Sequence, residues 1–161
     1  MIASIEETRF LLLSLLEKTR RDTREMLSSF DPERIIHTDE RAWRVRDIVG
    51  HLGVWNEEAA RSLRAFANGE EYYCIPTDAM YYDYNGPAAD ERRTWTMDQV
   101  WEEYETAHDQ LKLLVETMPE EKWERDMVFP WNERGTLTRL IIMMMDHEKT
   151  DHCDLVVKAN T

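Results

Sequence analysis

Four stretches of this chain repeat apolar residues every three or four positions, and no stretch alternates them every second position over a useful length. In the first, residues 4–30, Ile5, Leu12, Leu16, Thr19, Thr23, Leu27 and Phe30 fall on one side of a helix. Ser4 and Glu7 are spaced as a capping box at its start, and Asp31-Pro32 ends it, because a residue before proline is pushed out of the α region. The second, 45–66, carries Val45, Ile48, Leu52, Trp55, Ala59, Leu63 and Phe66, with Gly69 placed for a left-handed cap. The third begins at Thr96 and Gln99, again spaced as a capping box. It presents Val100, Trp101, Tyr104, Leu111, Leu114, Val115 and Met118 before Pro119. The fourth, 137–158, follows Thr136 and turns Leu137, Leu140, Ile141, Met144 and Leu155 inward. Four half-buried helices in one chain of 161 residues predict an all-α bundle, read as a single domain over 1–161.

Between the second and third helices runs a long excursion, residues 70–95, with five tyrosines, two prolines and Gly86 but no sustained period. A segment of this length in a compact domain is usually functional or disordered, and its aromatic content predicts a loop packed on the body with a helical turn near 78–83.

The charge balance narrows the partners. Against 20 Lys and Arg stand 33 Asp and Glu, a formal net charge of −13. A phosphate backbone or anionic membrane surface would be repelled, and the short basic runs at 19–24 and 91–93 are diluted by acids. The expectation is therefore no nucleic acid and no membrane partner. The apolar run near the N-terminus is too short and interrupted to span a bilayer, and it lacks the order of a secretory signal. Two cysteines, Cys74 and Cys153, do not make a disulfide framework, and the chain reads as cytoplasmic.

The chemistry-bearing residues crowd into the last helix. Asp146, His147, Glu148, Asp151, His152 and Asp154 lie within two and a half turns, just after three methionines. On a regular α-helix, residues four apart share a face, which offers two pairs: Glu148 with His152, and His147 with Asp151. His147 and His152 are five apart and would diverge by about 140°, so an α-helix would not let them share one ion. His51 sits on the flank of the second stripe, where a group in an interhelical cleft belongs. His37 and His108 are read as structural, Cys153 as a packed thiol and the methionines as core filler.

The segment "WRVRDIVGHLGVW", residues 43–55, together with the acid- and histidine-rich text at 146–155, resembles the DinB/YfiT-like superfamily of four-helix bundles. Within it, the chain is most similar to the ClbS/DfsB, DUF1706-type branch. Trp43, Val45, Arg46, Asp47, His51, Leu52 and Trp55 match the shared pattern, and the order and lengths of the four helices agree. The resemblance implies a divalent metal, Zn, Ni or Fe, held by one histidine of the second helix and two residues one turn apart on the fourth. His51 matches the first position. The text following His152 selects Glu148 and His152 for the others, as in the mycothiol-type relatives, with His147 and Asp151 in reserve. It also implies a metal-dependent thiol transferase or hydrolase acting on a small electrophilic molecule, with a low-molecular-weight thiol as a possible co-substrate. In this reading Trp55, Tyr72, Tyr73, Tyr81, Tyr82, Tyr84 and Trp131 wall the pocket. The alternative is a non-catalytic bundle without metal that binds a small molecule or pairs with a second copy through its methionine-rich face; a homodimer is expected on analogy.

Overall fold

The computed structural model describes residues 2–38, 41–76, 78 and 80–161, with 80–82 described by backbone alone. Its frame is four long helical stretches: α1 (Ile5–Ser28), α2 (Val45–Asn68), α4 (Met97–Thr117) and a composite last helix. The last helix runs as α5 (Leu137–Asp146), a wide π-helical turn (His147–Cys153) and α6 (Asp154–Ala159). The bundle is all-α as expected, and its ends are set by local chemistry. Ser4 Oγ accepts from the Glu7 amide at 3.1 Å while the Glu7 carboxylate accepts from the Ser4 amide at 2.7 Å. Thr96 and Gln99 repeat this box at the start of α4. Thr136 accepts from the Arg139 amide at 3.3 Å. Gly69 ends α2 at φ 69°, in the left-handed region where a side chain would be strained.

Two small antiparallel hairpins, absent from the sequence expectation, join the helices: β1 (Ile35–Thr38) with β2 (Ala42–Arg44), and β3 (Met127–Val128) with β4 (Arg134–Gly135). Their strands are two to four residues long, below what alternation can reveal. The 70–95 excursion is partly helical. A π turn covers Met80–Asn85, α3 covers Gly86–Glu91 and a 3₁₀ turn covers Arg92–Thr94. The excursion is pinned to the body by the Ile75 amide on the Pro130 carbonyl at 2.8 Å and by an Arg92–Glu103 ion pair.

α2 lies against α4, and α1 against α4 and α5. The approach of α2 to α4 is close at Gly53, where a Cβ would stand 3.3 Å from the Tyr104 amide nitrogen. Burial divides the core into two apolar clusters. One holds Leu12, Leu16, Ala59, Leu111 and Leu140; the other holds Leu27, Leu52, Tyr104, Cys153 and Val156. Near where the two meet, each helix carries a buried polar residue: Thr23 on α1, Asn56 on α2, His108 on α4 and Glu148 on the last helix; Glu58 and Ser62, also buried, lie further along α2. A polar layer thus crosses the bundle at one level.

The inward face of the last helix changes phase at that level. Leu137, Leu140, Ile141, Met144, Met145 and Glu148 are buried at α spacing, but the next buried residues are Cys153 and Val156. A π turn inserts one residue into the helical repeat. Everything after it rotates by one position, so Val156 is fully buried and Leu155, expected inside, is 37% exposed.

Candidate metal centre

The same inserted residue brings two histidines together. With one residue more per turn, positions five apart replace positions four apart as neighbours on a face. His147 and His152 lie with Nε2 atoms 3.0 Å apart and ring centroids 4.4 Å apart. His51, from α2, closes the group, with its ring centroid 4.6 Å from that of His152 and 5.9 Å from that of His147. One ring nitrogen of each lies within 4.8 Å of the other two. The sequence expectation that His147 and His152 point apart is corrected by this turn, since it assumed α geometry throughout.

The structure therefore brings together His51 and His152 of the expected set, with His147 of the reserve pair. It places Glu148 elsewhere. The Glu148 side chain is 1% exposed and faces the polar layer. Its carboxylate accepts from Thr23 Oγ1 at 2.6 Å, from Tyr104 Oη, from Asn56 Nδ2 at 3.2 Å and from His108 Nε2 at 3.0 Å. Burial alone would raise its pKa. The bonds from His108, Thr23 and Tyr104 outweigh burial and hold the carboxyl below its usual range. With all four donors already engaged, Glu148 stands outside the three-histidine group.

Asp151 also has a definite place. Its Oδ2 lies 2.9 Å from His147 Nδ1. A carboxylate on one imidazole nitrogen fixes the ring and leaves Nε2 as the basic edge, the usual arrangement behind a metal-bound histidine. His51 and His152 are held neutral. Burial drives the His51 pKa well down, aided by the neighbouring imidazoles. Burial, then His147, pushes His152 down to about 4. Among the described residues, the Nδ1 of His152 is buried with no hydrogen-bond partner.

These residues fit a divalent cation. Donors around a tetrahedral zinc at ~2.1 Å stand about 3.4 Å apart, close to the spacing of the His147 and His152 nitrogens. Three imidazoles suit Zn, Ni or Fe, and a three-ligand set leaves room for water or substrate. A cavity of about 520 Å³ adjoins the group, with Trp55, Asn85, Trp131, Met143 and Met144 among its lining. Asn85 brings the 70–95 excursion into this wall, and its Oδ1 accepts from Trp55 Nε1 at 2.8 Å. Tyr84 packs edge-on to Trp55 at 5.3 Å. Tyr72 instead bonds Glu58 at 3.1 Å, and Tyr73 is 78% exposed. The side chains of Tyr81 and Tyr82 lie outside the described residues.

His108 and His37 keep structural roles, one on Glu148 and the other stacked on Trp43 at 6.0 Å. Cys153 is buried beside Thr23 Oγ1 at 3.5 Å, and burial pushes its thiol up to about 11. Met144 and Met145 are buried within the chain itself. Among the described residues no helix is long and apolar enough to cross a membrane.

Comparison with known proteins agrees with this architecture. The family model for the DinB superfamily matches residues 15–152. Two crystal structures of a mycothiol-dependent maleylpyruvate isomerase, one of them a mutant, superpose with TM-scores of 0.73 and 0.70 at 14% and 12% identity. They cover 95% and 98% of this chain, which spans 61% and 68% of theirs. An uncharacterised protein from Escherichia coli UTI89 superposes with a TM-score of 0.72 at 16% identity, covering 93% of this chain and 91% of its own. At these identities the likeness is one of fold. No curated protein matches in sequence.

Proposed function

We propose that this chain, which belongs to the DinB superfamily, holds one divalent metal ion on His51, His147 and His152 and acts there on a small electrophilic molecule, as a thiol transferase or hydrolase. The observation that carries the reading is the convergence of three imidazole nitrogens from two helices at the edge of an apolar cavity. When bound, such an ion lowers the pKa of a coordinated water or thiol toward neutrality.

The protein's own residues do the remaining work. Asp151 holds His147 in one tautomer. His51 and His152 are uncharged at neutral pH, so neither carries a second ring proton that must leave before it can become a ligand. Trp55, Trp131 and the methionine pair give an apolar body a surface to lie on and exclude water from it. Asn85, tied to Trp55, joins that wall to the excursion and so allows the excursion to respond to an occupant. The likeness to a mycothiol-dependent enzyme favours a thiol as the co-substrate.

The test is direct. Metal-reconstituted protein is offered a reactive electrophile with and without a low-molecular-weight thiol, and product is followed in the native chain and in His51→Ala. Turnover that requires both metal and His51 supports the reading. Absence of turnover with metal bound leaves a binding module, and absence of metal ends the proposal.

A further inference from the structure

The three histidines depend on an irregular turn, and an irregular turn needs something to hold it. A π turn gives up regular hydrogen bonding for one residue, and the same sequence could close into an α-helix by letting that residue slip. This turn runs His147-Glu148-Lys149-Thr150-Asp151-His152-Cys153, of which Lys149, Thr150 and Asp151 are exposed. Only Glu148 reaches into the core from it, apart from Cys153 at its end.

We propose that Glu148 is the positioning residue of the histidine group: its carboxylate, gripped by donors on three other helices, fixes the register of the wide turn that sets His147 beside His152. Thr23 grips from α1, Asn56 from α2, and Tyr104 and His108 from α4. All four donors are themselves buried, with exposures of 2% or less. Donors arriving on both oxygens from three directions admit one position of the carboxylate, and hence one rotation of the helix that bears it. The choice of residue supports the same conclusion. A buried carboxylate is a poor way to gain stability, since an apolar side chain of similar volume usually does as well or better, and its best-attested use is to fix a register. Glu148 adjoins His147, so a slip of one position at Glu148 moves His147 off the shared face. The inference rests on the metal reading only for its consequence; the register claim itself concerns the metal-free chain.

The experiment uses the whole 161-residue chain with and without Co²⁺, and four variants. In the metal-free native protein, ring protons of His147 and His152 should show strong through-space cross-peaks. These should persist in Glu148→Gln, which keeps an oxygen acceptor of the same reach, and vanish in Glu148→Ala. With Co²⁺, Glu148→Ala should bind at least tenfold more weakly with altered visible bands, and Glu148→Gln should retain the native bands. Deleting Lys149 in the Glu148→Ala background should restore both signals, because the shortened helix puts the two histidines four apart on an ordinary α turn. Should Glu148→Ala fail to fold, Thr23→Val removes a single donor and should weaken the cross-peaks and shift the bands in the same direction by less. Native cross-peaks and bands in Glu148→Ala, no recovery on the deletion in a folded Glu148→Ala chain, or an unmoved Thr23→Val would each overturn the proposal. A native chain that shows the cross-peaks but binds no Co²⁺ would sink the metal reading and leave the register claim standing.

Discussion

Two carboxylates of the last helix, Glu148 and Asp151, each pair with a histidine, and the two pairs are put to opposite uses. Glu148–His108 is sealed in the core, both side chains 1% exposed, with the donors of three helices around it. Asp151–His147 sits at the rim of the cavity, its side chains 62% and 37% exposed. The first is a fastening, with its oxygens all engaged. The second orients a ring whose other nitrogen faces two further imidazoles. The two pairs hold the same residue types, but one joins successive turns of a single helix and the other spans two helices, and their burial sets their uses apart.

Each pair can be broken on its own. His108→Phe leaves Glu148 ionised in the core without one of its hydrogen-bonding neighbours, and we expect a loss of about 3 kcal/mol or more in urea unfolding. Asp151→Asn should change unfolding by less than about 0.5 kcal/mol, as for exposed pairs, yet weaken metal affinity on the order of 10- to 100-fold in a chelator competition. If both variants lose stability alike, the distinction between fastening and orienting fails.

Protons give a third view. His51 and His152 are depressed in the folded metal-free chain, the latter to about 4, against an ordinary value of 6.5. The unfolded chain takes up protons near 6.5 and the folded chain does not until far lower. Stability is therefore full above that pH and falls as the pH drops from about 6.5 toward 4, by up to about 1.4 kcal/mol per pH unit for each group. Glu148, depressed below 4.5, extends the loss at the acid end as it too is protonated. Stability measured by denaturant at a series of pH values should show this slope, and a flat profile between pH 6.5 and 4 would contradict the burial of the two rings.

A smaller effect checks the phase shift. Val156→Ala should cost about 1–2 kcal/mol, and Leu155→Ala a few tenths, because the π turn carries Val156 inward. The reverse order would mean an uninterrupted α-helix. Smallest of all, a thiol reagent at pH 8 should label Cys74 and leave Cys153, whose buried thiol stands near 11.

These comparisons also show what the sequence could and could not disclose. Helix ends were legible because their signals are local: Ser4 with Glu7, Thr96 with Gln99, Gly69 and Thr136 each act within a turn. His51 was legible because α2 is regular and its flank predictable. Of its partners, His152 was reached through the family resemblance, but its meeting with His147 was not, because that depends on one inserted residue, and Leu155, Val156 and Val157 are all aliphatic and hide the change of phase. A buried Glu148 answered by His108, forty residues away, leaves no trace in local spacing.

Metal content measured on three chains tests the central claim most directly. Native protein, His147→Ala and Glu148→Gln are purified alike, loaded with Zn²⁺, freed of excess and analysed for bound metal. We expect one ion per chain in the native protein and in Glu148→Gln, and little in His147→Ala. Metal retained by His147→Ala and lost from Glu148→Gln would contradict the three-histidine centre and return the carboxylate to the ligand set.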